Sequence, residues 1–174
     1  MSMSLLLAAA VAANSPNYIP STPDLGIAEG RCRPNESGPA FIISIEGLKD
    51  RKGRLKVELY PNDDDYFVKD DNVVIMAGKP FRRAEMAVPQ SGPVTMCIRA
   101  PGPGTYSMMV LHDRDSNRKF GLSTDGGGFP NNPRIRMGLP SAQASAATTG
   151  NGPTRISITM QYRTGLLSFG PLKK

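Results

Sequence analysis

The chain has 174 residues, 39% of them hydrophobic, which is enough to build one domain around a genuine core. A charged fraction of 21% excludes a disordered or coiled-coil chain, and 18 glycines and 16 prolines beside few helix formers point to short strands joined by turns. The net charge of +6 raises nucleic acid as a partner, but the densest basic run, residues 49–56, sits between two strand patterns and has no interleaved aromatics for base stacking. It reads as a solvated hairpin tip, so no nucleic-acid partner is expected.

In chain order, residues 5–13 form an uncharged apolar run followed by small residues suited to signal peptidase, and the run is too short to span a bilayer. The expected organisation is a signal peptide over 1–13, an N-terminal extension over 14–39, a β-domain over 40–163 and a tail over 164–174. The mature form is then periplasmic or secreted, with no transmembrane segment. An oxidising compartment favours a disulfide between Cys32 and Cys97, where a cytosolic one keeps two thiols. Val94, Met96 and Ile98 alternate with Thr95, Cys97 and Arg99, which puts Cys97 on the polar face of its strand. Closing the 65 residues between the cysteines is worth about 4 kcal/mol.

Residues 40–48 and 53–60 read as a first hairpin, with Phe41, Ile43 and Ile45 on one face matched by Leu55, Val57 and Leu59. Residues 61–80 lack a clean period and read as a long crossing loop with a helical turn near 66–70. Three strands follow over 81–89, 94–100 and 105–113, then a weak edge strand within 141–150. The last strand, 154–163, turns Ile156, Ile158, Met160 and Tyr162 inward and Arg155, Ser157, Thr159, Gln161 and Arg163 outward. The expected fold is all-β: a single antiparallel β-sandwich of Greek-key type with about seven strands. An exposed edge strand permits a homodimer by sheet extension.

Between the third and fourth of these segments, a loop of about twenty residues leaves the end of a buried strand, a length usually reserved for functional or mobile segments. Asp113, Asp115 and Asn117 fall at positions 1, 3 and 5 of a calcium-loop pattern, with the backbone carbonyl of Lys119 at position 7. Arg118 stands where such loops carry glycine, and Thr124 stands where they carry a bidentate Glu, with Asp125 one residue away. Two readings stay open: a Ca2+ site, and an Asx-rich turn whose side chains cap their own amides. His112, the single histidine, is either a lone general base beside Asp113 or Asp115 or a hydrogen-bonded histidine at the edge of the core. Gly126, Gly127 and Gly128 lack a strand-to-helix context for phosphate binding and let the loop fold over itself.

Tyr106, His112, Asp113, Asp115, Asn117, Gly128, Phe129 and Asn131 together form a Tyr-containing strand ending in His-Asp, an Asp/Asn/Gly-rich segment and a Gly-Phe-x-Asn element. In this the chain resembles, over roughly residues 40–163, the bacterial domain-of-unknown-function family 2141. The resemblance implies a secreted or periplasmic β-sandwich of transthyretin-like or carboxypeptidase-regulatory-like character with no established activity. Arg118 and Gly121 depart from the glycine and Asp common in that family. The ending Tyr162 to Gly165 is also similar to the Tyr-Arg-Gly-Ser terminus of transthyretin-like hydroxyisourate hydrolases, an enzyme class whose site needs several histidines. The leading expectation is an exported, noncatalytic binding or structural module of the cell envelope, with Ca2+ a candidate for ordering its 112–132 loop; the alternative is a hydroxyisourate-type hydrolase. The ligand and loop candidates are His112, Asp113, Asp115, Asn117, Asp125, Phe129 and Asn131, with no catalytic residue and no cofactor beyond Ca2+.

Overall fold

In the computed structural model, which describes residues 18–136, 138–166 and 168–172, the alternating segments become ten strands in two sheets. The expected leader over 1–13 lies outside the described residues. The strands are β1 (Ala40–Glu46), β2 (Arg54–Pro61), β3 (Arg82–Ala87), β4 (Val94–Arg99), β5 (Gly104–Asp113), β6 (Gly126–Gly128), β7 (Ala146–Thr149), β8 (Pro153–Thr159), β9 (Gln161–Arg163) and β10 (Phe169–Gly170). Among the described residues there are also two short α-helices, α1 (Ile27–Gly30) and α2 (Asp71–Met76), and a 3-10 turn at Gln143–Ser145. The small sheet runs β4-β1-β8; the large one runs β10-β9-β6-β5-β2-β3, with β7 also paired to β5.

The expected inward faces are correct, but the expected first hairpin is not. Phe41, Ile43 and Ile45 share one core with Leu55, Val57 and Leu59, yet β1 pairs with β4 and β8 while β2 pairs with β3 and β5. Two strands with one apolar face each bury it equally well by pairing side by side or by stacking face to face, and periodicity alone does not choose. The basic run 49–56 is therefore not a hairpin tip: it spans the crossing between sheets and the start of β2. Nor is the fold purely antiparallel, because β1 and β8 pair in parallel.

Four other expectations shift. The strand 154–163 breaks after Thr159, where Met160 donates its amide to Glu46 and the chain passes from the small sheet to the large one. Past that crossing Gln161 is buried, not outward, its side chain held by the amide of Ile135 and the carbonyl of Pro133. The helix lies at Asp71–Met76, beyond the expected 66–70, where the left-handed backbone of Val68 ends the preceding turn. The strand count of ten exceeds seven because β6, β9 and β10 are two or three residues long, too short to show a period.

Polar residues of the large sheet are also buried where alternation alone places them in solvent. A second apolar cluster of Tyr60, Phe67, Val74, Phe81, Phe129 and Ala142 lies apart from the main core, and near it Arg83 is buried. Its guanidinium donates to Glu58 at 2.7 and 2.9 Å, to Asp71 at 3.0 Å and to the carbonyls of Thr22 and Pro23. Burial pushes the Glu58 carboxyl up, but Lys56 and Arg83 outweigh it and hold the group below the usual carboxylate range. The network straps the segment before α1 onto β3. No helix among the described residues is long and apolar enough to cross a membrane.

Cys32 and Cys97 form a disulfide, Cys97 alternating with buried Met96 and Ile98 as its pattern requires. It ties the chain after α1 to β4 across 65 residues of sequence. Replacing both cysteines by alanine is expected to lower unfolding stability by about 4 kcal/mol in urea titrations, with little change in far-ultraviolet circular dichroism.

Candidate functional site

β5 is the longest of the described strands, and its inward positions Met108, Val110 and His112 are all buried. His112 is fully buried, with Nε2 2.8 Å from the carbonyl of Lys52 and Nδ1 2.6 Å from the hydroxyl of Tyr162. A carbonyl only accepts, so Nε2 carries the proton; Nδ1 of the neutral ring then accepts from Tyr162, whose oxygen accepts the amide of Lys49 at 3.0 Å. Within this relay from Lys49 through Tyr162 and His112 to Lys52, every donor has an acceptor only while the ring is neutral.

The charges around the ring agree. Burial lowers the His112 pKa below its ordinary value, against the opposing pull of the Lys52 carbonyl and Asp50. Burial likewise pushes the Tyr162 phenol up to about 12. Asp50 is occupied by Arg114, whose Nε donates to it at 3.0 Å and whose hydrogen bond holds the Asp50 carboxyl below the usual range. Gly53 closes the arrangement: its φ is +72°, and a Cβ there falls 2.1 Å from the carbonyl oxygen of Asp113. The inter-sheet crossing, the end of β5 and β9 thus meet at one node.

Beyond His112 the carboxylates turn on the loop's own backbone. Asp113 accepts the amides of Asn117 at 3.2 Å and Arg118 at 2.8 Å; Asp125 accepts those of Arg114 at 3.0 Å and Gly121 at 2.7 Å. Asp115 accepts the amide and side-chain nitrogen of Asn117, and Asn117 Oδ1 accepts the amide of Lys119. Both of the dominant aspartates are buried, and these bonds satisfy amides that no strand partner reaches. Arg118 has a φ of 64°, so the left-handed geometry that favours glycine persists at this position although the residue is arginine.

The folding of the loop gathers some candidates and separates others. One carboxylate oxygen each from Asp113, Asp115 and Asp125 lies within 4.8 Å of the other two. Asn117, which the calcium pattern groups with Asp113 and Asp115, instead spends its side chain on Asp115 and Lys119. Phe129 is buried in the second apolar cluster, 6.2 Å from the Phe67 ring. Asn131 donates to the carbonyl of Ala146 at 2.8 Å and pins the loop's exit to β7. Asp50, Arg114 and Tyr162 are the partners that sequence reasoning missed, because 50 to 64 residues separate the bonded pairs and no local spacing records them.

Two of the three glycines are fixed by packing. A Cβ on Gly126 falls 2.4 Å from the Tyr162 ring, and one on Gly128 falls 2.6 Å from Ile158. They make β6, between β5 and β9, where the sequence reading has a bare loop. A Cβ on Gly127 meets only the methyl ends of Ile135 at 3.7 Å and Met109 at 4.0 Å, which is ordinary contact.

A family model described as an uncharacterised protein conserved in bacteria, DUF2141, matches residues 43–157. No curated protein and no solved structure matches the chain.

As the only histidine, His112 can be followed alone by nuclear magnetic resonance. Its folded midpoint is expected below the usual value of about 6.5. Between about pH 6.5 and that lower midpoint the unfolded chain binds the extra proton, so stability falls as pH drops through this window and is unaffected above it. Urea titrations across pH 5 to 8 check this, and the slope assigned to this site disappears in His112→Gln.

Proposed function

The chain belongs to the bacterial DUF2141 family, and on that premise we propose that it is an exported, noncatalytic β-sandwich module that binds a component of the cell envelope. The observation that carries this reading is the capping of the 112–132 loop by its own aspartates, which holds a long surface segment in one shape for recognition. The disulfide is compatible with an oxidising compartment, and the apolar run at 5–13 supplies the proposed signal for reaching it. A transthyretin-like or carboxypeptidase-regulatory-like relationship remains part of this proposal, as does pairing of two copies along a sheet edge such as β8.

A Ca2+ ion is the proposed ligand that adds to the order the aspartates already give the loop. Asp113, Asp115 and Asp125 supply hard oxygen donors, and each carboxylate has lone pairs beyond those its amide partners use. Arg114, the nearest strong cation in sequence, directs its guanidinium to Asp50 and the carbonyl of Thr124, which supports room for an ion at the three aspartates. The Lys119 carbonyl is a further proposed donor, whereas Asn117 Oδ1 is taken by the amide of Lys119. Nothing specific favours the hydrolase reading: Tyr162 is committed to His112 and Lys49, and Arg163 donates to the carbonyls of Gly165 and Leu166 in its own turn.

Two experiments test these proposals. Affinity capture from envelope extracts should retain a partner on the wild type and lose it when residues 113–125 are replaced by a Gly-Ser linker; equal capture contradicts the loop's role. After chelation, millimolar Ca2+ should raise the melting temperature of the wild type and not of Asp113→Ala/Asp115→Ala, a gain of about 2.7 kcal/mol if the ion is at a hundredfold its Kd. No shift in either protein leaves the loop as an Asx-rich turn.

A further inference from the structure

We propose that the outer face of the large sheet holds a slot for one alkyl chain carrying an acidic head group. The slot is a cavity of about 330 Å³, within the size range of small-molecule sites. Phe120, Leu122, Ile135 and Leu139 line it, together with Phe169 of β10. Leu122 and Leu139 are 61% and 55% exposed, so the apolar surface continues to the mouth. Exposed leucines are ordinary one at a time, but two that line the same apolar cavity belong to a contiguous surface of the kind that marks ligand grooves.

Gly127 is part of the lining. Its flanking glycines are demanded by inward packing, whereas a Cβ here meets only ordinary contacts from Ile135 and Met109, which line the same cavity. Glycine at 127 therefore keeps open a space that the fold itself has no need to leave empty. The Asp-capped loop gives the space its wall, because Phe120 precedes Gly121, whose amide Asp125 holds, and the Phe120 ring lies 6.3 Å from that of Phe169.

Charge selects the occupant. Arg136 is the single charged residue of the lining, and among the described residues it forms no ion pair. On a chain of net charge +6 this favours a carboxylate at the mouth with the alkyl chain inside, a fatty-acid-like ligand. A protein partner needs about 800 Å² of complementary face, whereas the apolar surface here is gathered into a cavity. The inference names a ligand class for the binding module proposed above and rests on that reading, but not on the Ca2+ ion.

The test is calorimetric titration of the disulfide-bonded protein with saturated fatty acids of eight to fourteen carbons, below their micellar concentrations, and with the matching alcohols. The expected result is one saturable site, about fourfold tighter per added methylene (0.8 kcal/mol) until the slot is full, and acids bound more tightly than alcohols. Gly127→Leu should weaken binding at least tenfold with an unchanged melting temperature. Leu139→Glu, at the exposed mouth, should do the same by repelling the carboxylate, and Arg136→Gln should erase the preference for acid over alcohol while keeping the chain-length dependence. Absence of saturable binding, undiminished binding by both Gly127→Leu and Leu139→Glu, or a wild type indifferent to the head group would each overturn the proposal. Sedimentation showing a dimer that buries the slot and excludes the fatty acid would do so too. If fatty acid fails while envelope capture survives, only this inference falls; if both fail, the binding-module reading falls with it.

Discussion

A neutral imidazole, buried between a carbonyl and a phenol, is the constraint on which the rest of this structure depends. His112 joins the inter-sheet crossing at Lys52 to β9 at Tyr162, and Tyr162 returns to the crossing through the amide of Lys49. A network with every donor satisfied specifies one arrangement of its parts; removing any member leaves a buried polar group without a partner, at about 1–3 kcal/mol. The node therefore fixes the place and direction at which the long loop leaves β5. Gly53 has to be glycine because the crossing lies against the backbone of Asp113 at that same point.

From that fixed origin the loop folds on itself. Asp113 and Asp125 stand at its two ends and between them cap four amides, so the ends are drawn together, and Phe120 and Leu122 from between them line the apolar slot. Order in the loop thus comes first from its own carboxylates. An ion between Asp113, Asp115 and Asp125 adds to an arrangement already shaped by hydrogen bonds, and the apolar slot uses the same arrangement as its wall.

Much of this was legible in the sequence, and the limits are physical. Alternation identified the inward faces of β1, β2, β4 and β8, because one-sided burial has a period of two. It did not identify sheet membership, since Leu55, Val57 and Leu59 fill the same core whether β2 lies beside β1 or across from it. The cysteine pair and the outward position of Cys97 followed from composition and period, and the disulfide agrees. The Asp-rich loop was found by spacing, but its actual grouping, with Asp125 replacing Asn117, depends on how the chain turns between them. Arg83 and Glu58 were invisible as buried partners because a charged residue on a strand's polar face looks solvated until another segment covers it.

The most direct test of the account is amide hydrogen exchange at Arg114, Arg118 and Gly121 in chelator-treated protein at pH 7, compared with His112→Gln. The account predicts slow exchange at all three amides without any metal, and fast exchange once the histidine node is removed while the core strands stay protected. Fast exchange in the metal-free wild type would contradict it, showing that the loop does not hold its shape by its own aspartates.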